Sequence, residues 1–274
     1  MQQDKVRIDL CGVPETLLIP LWARAKLSRE YNSVLYDTKA IEIVERIDYD
    51  FSKIDKNPFE TNLFIAARAK QFDDKVRTYI KKYPRATVIN LGAGLDTNFY
   101  RVDNGSIHWY DLDLPAVIDI RRQLIPETDR TTCIAKSLLD LSWYADIKNT
   151  EQGAFLLAAG VLFYLEESQV KQFLSSIADN LPGGEIVFNM HSKLGTSFAD
   201  KIISGAGVRN APIKWVLKEV NEMTGWDKRI TILDQVPYFK NIPRNPAWGE
   251  EIRRKMDSND RLRVFKIVHV RVSS

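Results

Sequence analysis

Residues 88–101, Val-Ile-Asn-Leu-Gly-Ala-Gly-Leu-Asp-Thr-Asn-Phe-Tyr-Arg, constrain this chain more than any other stretch. Strand-forming Val88, Ile89, Asn90 and Leu91 run straight into Gly92-Ala93-Gly94. Glycines at such a point let the backbone turn sharply and leave room for a ligand to lie against it. About twenty residues further on, a second strand ends in Asp111-Leu112-Asp113, which puts acid where a ribose would sit. A glycine turn followed by a strand-end acid is the mark of a nucleoside-binding α/β fold.

The rest of the chain divides into three zones around that turn. Residues 1–82 read as a mostly helical cap. Leu63, Phe64, Ala67, Phe72, Val76, Tyr79 and Ile80 recur at helical spacing until Pro84 stops them. Residues 83–190 alternate strand and helix, with strands at 87–91, 107–111, 132–135, 154–159 and 185–190. Between the last two, Val170, Phe173, Leu174, Ile177 and Leu181 share one helical face, closed by Pro182-Gly183-Gly184. Such alternation predicts a parallel sheet with helices on both faces. Residues 191–274 read as a lid insertion, with one helix near 214–224, followed by strands at 229–236 and 262–272 that close the sheet as an antiparallel pair. The segment Pro14–Arg24 is apolar enough for a lid helix or a buried amphipathic helix. All of this fits one domain spanning 1–274.

Charge and cysteine usage exclude little. Lys+Arg of 39 against Asp+Glu of 36 gives +3, too small and too dispersed to argue for nucleic acid. Lys81-Lys82, Arg121-Arg122 and Arg253-Arg254 read as solvated helix faces. Cys11 and Cys133 lie far apart without metal-ligand spacing, which suggests a reducing compartment. The first residues carry no apolar leader pattern, and no apolar run approaches membrane-spanning length. A cytoplasmic protein is expected, and its oligomeric state is not legible.

The loop chemistry narrows the ligand. Dinucleotide sites normally carry a third glycine or alanine in G-x-G-x-x-G/A, for close helix–strand contact beside the pyrophosphate. Thr97 stands in that place, and Asp96 would sit poorly beside phosphates; its plainer role is a helix N-cap. A ligand without phosphates suits this loop better, and S-adenosylmethionine is one: adenosine, a sulfonium cation and an amino-acid tail.

Gly92-Ala93-Gly94-Leu95-Asp96-Thr97 with Phe99-Tyr100-Arg101, then Asp111-Leu112-Asp113-Leu114-Pro115-Ala116-Val117-Ile118, resembles the leucine carboxyl methyltransferase family. The nearest likeness is to its bacterial branch of O-methyltransferases linked to polyketide biosynthesis. Ala66-Ala67-Arg68-Ala69 with Asp73-Asp74, Ser137–Trp143, Gly160–Leu165, Pro182–Glu185 and Val268–Arg271 continue the match across about residues 14–272. The resemblance implies a class I, Rossmann-like methyltransferase sheet of about seven strands under an N-terminal helical cap. It also implies S-adenosylmethionine as cofactor and S-adenosylhomocysteine as product. Carried over by position, Arg68 holds the methionine carboxylate, a task suited to a bidentate guanidinium. Gly92 and Gly94 admit the backbone approach, and Asp113 holds the ribose. Asp111 is an alternative, since the two acids point to opposite faces of a strand. Ser137 and Leu138 flank the adenine. The related enzymes often carry Glu before Gly-Val-Leu; here Ala159 stands in its place, so a carboxylate near the cofactor is missing. A cofactor binder without turnover stays open on that account.

Methyl transfer to oxygen is an in-line displacement, driven by orientation and exclusion of water. A carboxylate acceptor is already ionised at pH 7, whereas a phenol would gain from a base. Only three histidines are present, which favours a carboxylate without deciding it. Tyr164, after the fourth strand, and His191, at the mouth of the crevice, are the catalytic candidates. His108 and His269 read as structural, Arg101 as a tether for the first helix, and Trp215 and Trp226 as lid or core. Asn189, where relatives often have Asp, receives no role. The expected function is methyl transfer to a carboxylate or hydroxyl of a small molecule. The alternatives are a protein C-terminal carboxyl methyltransferase and an NAD-dependent oxidoreductase.

Overall fold

The N-terminal helices form a cap whose own core is separate from that of the sheet. A computed structural model describes residues 5–30, 33–217 and 219–273. In the cap, β1 (Val6–Arg7) pairs in parallel with β2 (Ile47–Asp48). Around them lie α1 (Leu18–Ser28), α2 (Thr38–Arg46) and α3 (Ser52–Asp55). Leu18, Leu21, Ala25, Ile43, Ile47 and Ile54 bury against one another and against Leu95, Ile120 and Leu124 of the sheet domain. The 24-residue α4 (Phe59–Lys82) joins cap to sheet. Its buried positions Leu63, Ala66, Phe72, Val76, Tyr79 and Ile80 fall at three- and four-residue spacings or their sums, one stripe of a helix. Tyr83 leaves helical geometry because the following Pro84 disfavours it.

Seven strands follow: β3 (Thr87–Leu91), β4 (His108–Asp113), β5 (Thr131–Ala135), β6 (Ala154–Ala158), β7 (Glu185–His191), β8 (Ile230–Pro237) and β9 (Phe265–Val272). Their order is β5-β4-β3-β6-β7-β9-β8. The first five are mutually parallel, and β9 runs antiparallel between β7 and β8. Strand order reverses between β3 and β6, and in such sheets the crevice outside the carboxyl ends at that point takes the ligand. Helices α5 (Asn98–Val102), α6 (Pro115–Leu124), α7 (Glu167–Asn180), α8 (Lys193–Gly205) and α9 (Gly249–Leu262) complete the chain. β3, β6 and β7 are buried at every residue; β6 is apolar throughout, while β3 and β7 mix apolar residues with buried polar ones such as Asn90, Asn189 and His191. Ile89, Leu156, Ile186 and Phe188 face α7, while Val88, Phe155, Leu157 and Val187 face α4. Among the described residues no helix is long and apolar enough to cross a membrane.

The expected helix near 214–224 is absent. Residues 211–217 have no regular structure and Val220–Gly225 is a 3-10 turn; Lys218 lies outside the described residues. Trp215 and Leu217 are buried while Val216 between them is not, an alternation of extended chain rather than helix. Two unexpected helices flank that segment. In α9 only Ile252, Met256 and Asn259 mark the inner face of a highly charged sequence, so its period is faint. β9 starts at Phe265 rather than 262, because Leu262 ends α9 and Arg263 closes it with φ of 50°.

Candidate active site

The carboxyl ends of β3, β4, β5, β6 and β7 open into a cavity of about 390 Å³, within the range of small-molecule and cofactor sites. Gly92 and Gly94 form its floor with φ of 61° and 48°, left-handed values that side chains resist. A Cβ on Gly92 would stand 2.8 Å from that of Val161, so both conformation and space demand glycine. Arg121 of α6, 2 % exposed, holds the loop from behind. Its Nη1 donates to the carbonyls of Gly94 and Asp96, each at 2.9 Å, and its Nη2 to Asp111 Oδ2 at 2.7 Å. The reading of Arg121 as a solvated surface charge is therefore corrected. Its partners are carbonyls and a carboxylate that only the fold brings to it.

Three of the loop's amides are already engaged. Ala93 N donates to Leu112 O, Gly94 N to Asp113 Oδ2, and Asp96 N to Ala93 O. Thr97 N and Asn98 N both donate to Asp96 Oδ1 just ahead of α5, whose N-cap residue is Thr97 rather than Asp96. A pyrophosphate needs such amides free, so the loop does not fit a dinucleotide. It fits a ligand that uses the glycines for close approach alone.

Asp113 lines the cavity. Its Oδ2 accepts from Gly94 N and its Oδ1 from Leu114 N, both at 2.7 Å. One acceptor site per oxygen remains for the two hydroxyls of a ribose. Burial pushes its carboxyl above the usual range. Asp111 does not line the cavity: it is buried and occupied by Arg121, Asn90 Nδ2 and Trp109 Nε1. It anchors the loop rather than a ribose. Ser137 and Leu138, after β5, form the next part of the wall. Ser137 Oγ accepts from Leu139 N, so its own proton is not used in that bond.

At the end of β6 lie Ala159, Gly160 and Val161, facing Arg68 from α4. Gly160 has φ of 87°, and a Cβ there would meet Arg68 Nη1 at 3.0 Å. Arg24, Arg101 and Arg121 pair with carboxylates. Among the described residues Arg68 forms no ion pair, which suits it to a ligand's carboxylate. Arg101 bonds Asp73 and Asp37 and ties α5 to the cap. Asp113 and Arg68 thus line one crevice, with apolar wall between.

Beyond Arg68 the cavity is lined by Leu17, Ile19 and Pro20 of the cap, Phe64, Phe163, Tyr164, His191, Phe198, Ile202, Tyr238 and Phe265. Burial raises the Tyr164 hydroxyl above its ordinary pKa. His191, the last residue of β7, is 8 % exposed, and burial with the nearby Arg68 pushes its pKa down to about 3. It stays neutral at pH 7 and is too weak a base to deprotonate a phenol. Tyr238 is held by Gln71, whose Nε2 donates to the carbonyls of Tyr238 and Lys240 at 3.0 and 2.7 Å. Burial pushes its hydroxyl up to about 12. Sequence reasoning gave no role to Tyr238, Phe198 or Asn189. The helical period of Leu194, Phe198, Ile202 was the available signal for α8, whereas nothing local pointed to Tyr238. Trp215 and Trp226 do not reach the cavity; Trp215 is 4 % exposed and both pack in the core beside α7.

These features define a class I S-adenosylmethionine-dependent methyltransferase. The cofactor, when bound, supplies an electrophilic methyl on sulfur; the chain positions it and excludes water. The particular family follows from comparison. The leucine carboxyl methyltransferase family model matches residues 19–178, and the chain belongs to that family. It is 35 % identical over 183 residues to the tetracenomycin polyketide synthesis O-methyltransferase TcmP of Streptomyces glaucescens, covering 66 % of this chain and 67 % of that one. It is 31 % identical over 205 residues to the S-adenosyl-L-methionine-dependent methyltransferase dpfgK of Gibberella zeae, covering 68 % of each. A crystal structure from Thermobifida fusca YX, proposed to be a methyltransferase, shares the fold with TM-score 0.61 at 15 % identity, covering 92 % of this chain and 94 % of that one.

Proposed function

We propose that the enzyme methylates an oxygen, foremost a carboxylate, of an apolar ring-bearing small molecule. The observation that carries this reading is an aromatic chamber joined to the cofactor crevice without any side chain that titrates near pH 7. Phe64, Phe163, Phe198, Tyr238 and Phe265 line it, and the cap segment around Leu17 and Pro20 closes over it. His191 at about 3 and Tyr238 at about 12 bracket neutrality from both sides. An acceptor that arrives already ionised needs neither.

In this reading Arg68 and Asp113 hold the cofactor's two ends, Ser137 and Leu138 flank its adenine, and Ala159 widens the wall beside its methionine. The shape of the resulting wall helps to put the acceptor oxygen opposite the methyl. TcmP, an O-methyltransferase of polyketide synthesis, supports a small-molecule oxygen acceptor. The two free cysteines, Cys11 and Cys133, fit a cytoplasmic setting. The test is a screen with labelled methyl donor against aromatic carboxylic acids, phenols and a peptide ending in a free leucine carboxylate. Base-labile ester on the small acids supports the proposal. Label confined to phenols, or to the peptide, replaces it.

A further inference from the structure

Asn189 and His191 stand two residues apart on β7 and so share one face of the sheet. The amide N–H of Gly160 lies 2.7 Å from Asn189 Oδ1. A backbone N–H can only donate, so the orientation of the Asn189 side chain is fixed, with its Nδ2 as the remaining donor. That nitrogen lies 3.1 Å from His191 Nε2. Nε2 therefore accepts, and the single proton of the neutral ring sits on Nδ1. Among the described residues Nδ1 is buried with no hydrogen-bond partner. The ring forms part of the cavity wall, packed 4.8 Å from Phe163 and 5.0 Å from Phe265. A buried donor left without an acceptor is costly, and such a group in a cavity wall calls for a partner the protein itself does not supply; Nδ1 has no accessible surface here, so an acceptor reaches it only with a local shift of that wall.

We propose that His191 Nδ1–H is the hydrogen-bond donor that positions the acceptor's oxygen group, and that Asn189 fixes the tautomer that makes it a donor. The proposal rests on the reading of an oxygen acceptor and reverses the usual histidine role. His191 takes no proton. For a carboxylate, Nδ1–H holds one oxygen while the other attacks the methyl, and no proton changes hands. Asn189 is a positioning residue: it acts through His191 and through Gly160, whose left-handed turn carries the wall past Arg68.

Imidazole 15N NMR of the wild-type protein saturated with S-adenosylhomocysteine at pH 7 reads the tautomer, with His191→Asn identifying the signal. The expected form is Nδ1–H. Asn189→Asp, whose carboxylate accepts from both neighbours, should convert it to Nε2–H. An Nε2–H or doubly protonated ring in the wild type overturns the proposal. The contact itself is tested by titrating 1-naphthoate into the same saturated wild type, His191→Asn and His191→Phe. The Asn amide keeps a donor near the position of Nδ1, and Phe keeps only the ring shape. Wild type and His191→Asn should bind within about threefold of each other, and His191→Phe at least about tenfold more weakly. Equal affinity in all three proteins, including none, overturns it. Unchanged S-adenosylhomocysteine affinity shows that each variant is folded. Absence of oxygen-methylated product in the labelled screen would instead overturn the underlying function, and the tautomer measurement is independent of that result.

Discussion

At the scale of single residues, the site is built from demands that differ in how far they reach. Gly92 answers a local demand: φ of 61° and a Cβ position 2.8 Å from Val161 exclude any side chain. Gly92→Ala should lower stability by about 1–3 kcal/mol in chemical denaturation and weaken S-adenosylhomocysteine binding in calorimetry. Arg68→Met should raise the S-adenosylhomocysteine dissociation constant about 10- to 100-fold, the worth of a charge-assisted bond, with little change in melting temperature. His191 carries a pH signature. Its folded pKa of about 3 lies below the ordinary 6.5, so the unfolded chain binds the extra proton between those values. Stability from this group is intact above pH 6.5 and falls as pH drops toward 3, by about 1.4 kcal/mol per unit. Measured against His191→Asn, the wild type should lose about 2–3 kcal/mol between pH 6 and 4. A pH-independent difference would contradict the assignment. The glycines were legible in sequence because their requirement is local; the neutrality of His191 was not, because Arg68 and the surrounding aromatic rings create it.

Elements show the same division. The strands of the parallel sheet follow from buried apolar runs bounded by turns, and α4 and α7 follow from their periodicity. α6 was read correctly as an element but not in what it does. Val117, Arg121 and Leu124 fall at helical spacing on its buried face, so the position of Arg121 on that stripe was a signal that its neighbour Arg122 obscured. Replacing Arg121 by Met leaves the buried Asp111 without its cation and should cost about 3–5 kcal/mol in urea unfolding. Arg122→Met, exposed, ion-paired with Glu127 and donating to the Cys133 carbonyl, should change stability by no more than about 1 kcal/mol. The helix expected near 214–224 failed for the opposite reason. Trp215 and Leu217 are apolar two residues apart, the period of extended chain rather than helix, and that extended route takes Trp215 into the core beside Phe188.

At the scale of the molecule, the cap and the sheet meet across the cavity, so a bound cofactor should stabilise the whole fold. S-adenosylhomocysteine at one hundred times its dissociation constant adds about 2.7 kcal/mol, which for a chain of this size raises the melting temperature by roughly 5–10 °C. NAD should produce no shift, since the amides of the glycine loop are engaged within the protein. Equal shifts with both ligands would return the loop to the dinucleotide class.

The sequence by itself determined the α/β architecture, the glycine turn, the absence of a dinucleotide pattern and the methyltransferase family. These depend on backbone geometry, spacing and order along the chain, which are written locally. Tertiary structure decided which of two strand-end acids lines the cavity, that Arg68 lines it without an ion pair among the described residues, and that Asn189 lies beside His191. It also decided that Tyr238, brought in by Gln71 across 167 residues, closes the acceptor chamber. Charge pairing and hydrogen-bond satisfaction are properties of neighbours in space, and no spacing along one chain specifies them.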